Sequence, residues 1–266
     1  MRLEGAPTVV EFDPYQQQAA GAVTGPVTGS QFQYATAHNV GEAVRLADGR
    51  TFRYALVGGS NLVAGTINTP AIEKPNHYEC TTLTAVTGSA VPTTRQVTVT
   101  LGATAAVASE YVHGFATWSS GANVGIPYEI SYHPAANSGA TLQLTFFDYL
   151  QNAVASNDTV DLSHGQWYNV VINSHTTIQT TRVAGVSLIA ATATYGAWLV
   201  THGLAPCIAD GTVSVGTEIV LSNSTNGAVT GRSTTYSTAV AQIHVGYCGF
   251  DSAIVTNSKP IFLDID

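Results

Sequence analysis

Along most of this chain, short apolar runs are cut every few positions by Gly, Pro, Asn or Asp. That spacing predicts strands joined by turns, not amphipathic helices. Residues 96–101 show the period directly, with Val97, Val99 and Leu101 on one side and Thr98 and Thr100 on the other, as a half-buried strand requires. Residues 141–147 repeat it, setting Leu142, Leu144 and Phe146 against Gln143, Thr145 and Phe147. Two further strands are expected at 112–118 and 126–132. His133-Pro134 stops the second, because proline has no N–H to give a ladder. The best helical stretch, 103–111, is short.

Turn residues organise the rest. Within 194–231, Asp210-Gly211 predicts a hairpin, since this pair accepts the positive φ angles of a tight turn. Gly216 and Asn226-Gly227 predict two more turns, with a strand at 217–222 between them and a short apolar run at 197–200 ahead. Nearer the start, 42–46 and 51–57 flank Asp48-Gly49 as another hairpin. Residues 69–76, with Pro70, Pro75 and the Glu73-Lys74 pair, read as a linker. After Gly165, strands are expected at 167–172, 183–190, 239–245 and 261–265, the last paired inside a sheet. The fold class that follows is all-β, built of small antiparallel β-sandwich or β-barrel domains. The expected divisions are a hairpin and linker at 37–76, a middle β domain at 77–164 and a C-terminal β domain at 165–266.

Residues 1–36 differ, having neither a strand nor a helix period. They still carry Val9, Val10, Phe12, Tyr15, Phe32 and Tyr34, more apolar surface than a free tail needs. The segment is either a loose terminus or an extended N-terminal arm ordered by docking on something else. In the second case those six residues are the candidate contacts with a partner subunit.

Composition sharpens the choice of partner. Hydrophobic residues make up 45 %, enough for a core, whereas charged residues make up only 10 %, well below the usual quarter. A surface so poor in charge is weakly protected against association, as in a neutral β protein or one whose surface is buried in an assembly. A net charge of −8, with Lys74 and Lys259 the only lysines, argues against nucleic acid, whose phosphates need a basic footprint. No apolar run approaches a membrane span and no signal-like core opens the chain, so the expectation is synthesis in a reducing cytoplasm without membrane insertion. Cys80, Cys207 and Cys248 make no closed disulfide set and read as small buried hydrophobes.

Candidate chemistry is sparse. His202 and Cys207 lie close in sequence but lack a second ligand pair at matching spacing, so both read as turn and core residues. Gly58-Gly59-Ser60-Asn61 is not a nucleophile elbow. Glu129, Asp148, Asp158 and Asp161 could supply the carboxylate pair of a glycoside hydrolase, although Asp158 and Asp161 also suit turns. Tyr195, Trp198, Tyr236 and Tyr247 are candidates by type for stacking on sugars, or else core and cross-strand residues. No catalytic residue, metal site or cofactor is assigned.

The stretch 110–140 resembles tailed-phage head proteins in the order Tyr111, Gly114, Phe115, Gly125, Tyr128, Ile130, His133-Pro134-Ala135 and Ser138-Gly139-Ala140. Further stretches resemble the same proteins: Leu46-Ala47-Asp48-Gly49-Arg50 with Phe52-Arg53-Tyr54, then Leu62-Val63-Ala64-Gly65, and later Tyr195-Gly196 with Trp198, Gly203, Ala209-Asp210-Gly211 and Val215-Gly216-Thr217. His202-Gly203 stands where those proteins usually have Gly-Gly, and Pro206-Cys207 is a second departure. The resemblance implies a virion decoration (cement) protein on the capsid exterior, bridging major capsid protein subunits, often as a trimer and without catalytic residues. A receptor- or carbohydrate-binding virion module is the alternative from another class, and a glycan hydrolase of β fold a third. On the cement reading, residues 1–36 are mobile in the free protein and ordered on the capsid.

Overall fold

The computed structural model describes residues 18–19, 38–86, 94–175, 182–233, 243–250 and 258–265. The protein is almost entirely β, as the turn spacing predicts. Val9, Val10, Phe12, Tyr15, Phe32 and Tyr34 lie outside the described residues.

The chain starts one antiparallel sheet, leaves it to close a barrel, and returns. The first strands are β1 (Gln18–Ala19), β2 (Ala43–Arg45), β3 (Thr51–Leu56) and β4 (Ile67–Thr69). Asp48-Gly49 makes the expected β2–β3 hairpin, with Arg45 opposite Thr51. The barrel is formed by β5 (Cys80–Thr82), β6 (Gln96–Thr100), β7 (Phe115–Trp118), β8 (Pro127–Tyr132), β9 (Thr141–Phe146) and β10 (Thr159–Ser163), in the closed order β10-β5-β6-β9-β8-β7. The returning chain supplies β11 (Val171–Ile172), β12 (Gly185–Ser187), β13 (Tyr195–Ile208), β14 (Glu218–Leu221), β15 (Val229–Gly231), β16 (His244–Cys248) and β17 (Ser258–Asp264). These join β1–β4 in an 11-stranded sheet with the path β11-β4-β12-β13-β17-β16-β14-β15, while β1 and β3 also pair with β13 and β2 pairs with β3. The chain therefore leaves the sheet at β4 and rejoins it at the neighbouring strand β11, with Thr69 opposite Val171.

The barrel core follows the alternation read from the sequence. Val97, Val99, Leu142, Leu144 and Phe146 point inward, as do Ala116, Tyr128, Ile130, Val160 and Leu162. Trp118, Tyr128 and Phe146 meet at its centre with ring centroids 5.1–6.0 Å apart and tilted or edge-on, the arrangement that ring quadrupoles favour. In the large sheet, the first half of β13 is buried on both faces. Trp198 and Val200 pack into one core with Phe52, Tyr54 and Ile261. Ala197 and Leu199 pack into another with Ala55, Leu62 and Val170. Strands buried on both faces are apolar throughout, which is why this stretch shows no alternation.

Several expectations fail for identifiable reasons. Residues 103–111 form turns and a β-bridge instead of a helix, because they strap the barrel end, with Ser109 at φ 60°. Asp210-Gly211 is not a two-residue hairpin. It follows the 14-residue β13, which absorbs the short apolar run at 197–200, and the Asp210 carboxylate accepts hydrogen bonds from Ser222 and Ser224. The strands expected at 167–172 and 183–190 shrink to β11 and β12. The final strand does pair inside the sheet, between β13 and β16. Cys80, Cys207 and Cys248 are buried free thiols.

Candidate functional site

The most concentrated polar chemistry lies at one end of the barrel, where four separate stretches converge. Residues 73–77, expected to be a mere linker, contribute Glu73, Lys74 and His77. The strap contributes Glu110 and Tyr111, the end of β8 leads to His133, and β10 leads to His164. His77 and His133 are fully buried and His164 is 1 % exposed. Such groups are tolerated inside a protein only when each polar atom has a partner.

Every ring nitrogen of these three histidines is engaged, and the partners set the protonation states. Nε2 of His77 donates to the Thr104 carbonyl at 2.8 Å, leaving Nδ1 to accept from the Tyr111 hydroxyl. Nδ1 of His133 donates to the Pro134 carbonyl at 2.9 Å, while its Nε2 accepts from the Tyr111 amide at 2.9 Å. The His133 ring, accepting from an amide, is thus neutral. His164 faces carboxylates on both sides, Glu73 at 2.9 Å and Glu110 at 3.3 Å, so it is an imidazolium. Lys74 also binds Glu110, at 2.6 Å. Two acids and two cations balance, as a largely buried charge cluster demands.

The titration tendencies agree. Burial opposes charge on His164, but hydrogen bonds to Glu110 and Glu73 outweigh it and raise the pKa. Burial likewise opposes charge on Glu110, yet His164, Lys74 and the Val107 amide hold it down to about 2. For His133 burial dominates and lowers the pKa. Burial also pushes Tyr111 far above its ordinary value, with the charges of Glu110 and Glu73 adding to the effect. With every ring nitrogen occupied, the cluster is built to fasten segments together.

A second feature is a shallow cleft of about 250 Å³ between barrel and sheet, lined by His113, Phe115, Glu129, Gln166, Trp167 and Arg182 among others. Glu129 accepts from His113 at 2.8 Å. Phe115 lies opposite Glu129 in the β7–β8 ladder and is 37 % exposed. Gln166 and Trp167 are fixed by hydrogen bonds to the Val183 and Ala184 carbonyls, and Arg53 lies over the Trp167 ring at 4.8 Å.

Other sequence candidates scatter. Asp158 accepts from the Ala155 amide at 2.8 Å and so forms a turn. Asp161 lies within β10, not in a turn, and accepts from the Glu79 amide. Neither these nor Asp148 line the Glu129 cleft. His202 and Cys207 share β13, but His202 lies beside Asp264 at 3.8 Å while Cys207 is fully buried in the core. Trp198 is a core residue, Tyr247 is half exposed, and Tyr236 lies outside the described residues. Among the described residues, no group of three His, Cys, Asp or Glu is placed to hold a metal ion. Comparison with protein-family models, curated proteins and solved structures finds no match to this chain.

Proposed function

We propose that this protein is a decoration protein of a tailed-phage head. It binds the capsid exterior, bridges and stabilises neighbouring major capsid protein subunits, and acts as a homo-oligomer. The observation that carries this reading is where the residues resembling such proteins fall. Tyr111, Tyr128, Ile130 and His133 are buried in the barrel or its end. Asp48-Gly49 turns the first hairpin, and Trp198 sits in the core of the large sheet. They are shape-determining positions, and shape is what a bridging protein uses. The backbone of Gln18–Ala19 pairs with β13, the same strand-addition chemistry by which an extended arm gains hydrogen bonds. On this reading Val9, Val10, Phe12, Tyr15, Phe32 and Tyr34 supply the arm's apolar contacts.

The test is co-sedimentation with heads purified without this chain. Saturable binding at a fixed ratio to the major capsid protein, with heads surviving to higher temperature, is the expected result. No binding, or binding without stabilisation, overturns the proposal. A saccharide-binding virion module is the second reading, favoured by the Glu129 cleft, where the Phe115 ring adjoins planar polar side chains. Glycan-array binding that Glu129→Gln abolishes would favour it over the first.

A further inference from the structure

The first half of β13 has a packed core on each face, but its second half does not. From Leu204 onward burial alternates, with Ala205 and Cys207 inward and Leu204 and Pro206 outward. The outward side chains are nevertheless apolar, as if this face too were to be covered. On β17 they are Pro260 and Phe262, directly opposite Pro206 and Leu204. On β16 Tyr247 stands opposite Phe262. Leu204, Phe262 and Tyr247 therefore form one row across three adjacent strands, exposed by 39, 50 and 50 %. Phe250 is 61 % exposed and follows Gly249, which lies against the Phe262 ring. Beside the row lies an open hollow of about 570 Å³, bounded by Asp48, Arg50, His202, Leu204 and Phe262.

We propose that this outer face of β13, β17 and β16 is a sheet-on-sheet interface between two copies of the chain. Three observations select a second copy as the occupant. First, ridge and hollow share the Phe262 edge, so a twofold rotation near Phe262 lays the Tyr247 side of each copy into the hollow of the other. That is the self-complementarity an isologous contact requires. Second, two of the carboxylates around the face are paired within the chain. Arg50 holds Asp48 at 2.8 Å, and Glu218 is held by Arg232 and accepts from His244 at 3.0 Å. Two such faces meet with little repulsion despite the net charge of −8. Third, the area suffices. Three aromatic side chains of about 150–250 Å² each, half or more exposed, present roughly 250–400 Å² per copy. With Leu204, Pro206, Pro260 and the rim, the two faces bury on the order of 1,000 Å², the lower bound for a specific interface. Flat apolar sheet faces stack at about 10 Å, as in sandwiches.

The inference stands apart from the capsid reading, and its test uses no capsid. Sedimentation equilibrium of the full chain over about 1–100 µM should show self-association with a micromolar constant. Phe262→Glu should weaken it at least about 30-fold, the loss expected for a central aromatic anchor, with the circular dichroism unchanged because the side chain points outward. Tyr247→Glu on the neighbouring strand is the second variant, should the first fail to fold. An assembly of any size that either folded variant dissolves supports the interface. A chain that stays monomeric throughout, whether its face is covered by its own residues or bare, overturns it. So does an assembly that both variants leave intact.

Discussion

At the residue scale, His164 is the centre of the buried cluster, since it alone touches both carboxylates. Glu110→Gln removes the acid shared by His164 and Lys74 and leaves two cations facing one remaining carboxylate. Breaking one side of a buried ion pair costs about 3–5 kcal/mol, and that loss is expected in urea unfolding with an unchanged m value. Protonation tests the same cluster. The lowered pKa of His133 means that the unfolded chain takes up its proton first, so stability declines as pH falls through about 6.5. Glu110, held at about 2 against an ordinary 4.5, contributes stability above pH 4.5 that is lost progressively towards pH 2. His164 acts in the opposite sense. Its raised pKa gives stability that is complete below the unfolded value and lost as pH rises through the folded one. Stability should therefore peak near neutral pH and fall in two acid steps. Melting temperatures across pH 3–9 check this, and His133→Asn should remove the first acid step while leaving the second.

At the scale of elements, close backbone crossings decide which loops can pass one another. A Cβ on Gly114 would lie 2.0 Å from the Ser163 carbonyl oxygen, and one on Gly165 would lie 2.7 Å from that of His113. These glycines let the chain entering β7 run against the chain leaving β10. Gly114→Ala should destabilise by at least about 1–3 kcal/mol, as overpacking does. Gly59→Ala, where nothing lies within 4 Å, should stay within about 0.5 kcal/mol of the parent. Both are read from denaturation midpoints. The elements that could be read in the sequence were those whose pattern is local. Val97, Val99 and Leu101 alternate with threonines, and Asp48-Gly49 turns a hairpin, because each depends on adjacent residues alone. What could not be read depends on distant partners. β13 continues through a bulge after Val200 and through Gly203 and Pro206 because β3 and β12 pair with its first half and β17 with its second. The strap at 103–111 is bent by its bridge to Ala136 and its links to Lys74 and His133. For the same reason the histidine cluster left no motif. Its groups come from positions 73, 74, 77, 110, 111, 133 and 164, and only the closed barrel brings them together.

At the scale of the whole molecule, the barrel is an insertion between two paired strands of the large sheet. Its core, from Cys80 to Leu162, is a separate cluster from those of the sheet, and the buried ion cluster lies wholly within 73–164. Inserted units whose ends lie close together often fold alone. Residues 71–167 expressed by themselves should unfold in one cooperative transition and retain the acid-sensitive profile argued above. A chain that shows neither dispersed amide resonances nor a transition would mean that the small junction cluster of Leu56, Val112 and Tyr168 is indispensable.

The placement of β4 beside β11 also governs how the molecule answers a pull. Tension between the chain's two ends must travel through the sheet, because Thr69 is bound across the ladder to Val171 and Asn68 to Ile172. While those rungs hold, the hundred or so residues of the barrel hang outside the path of the force and feel none of it. Once they part, the barrel becomes a reserve of slack, roughly 330–360 Å of contour when drawn out. A sheet with a barrel slung from it in this way yields in stages under a swelling or shearing load instead of failing at once.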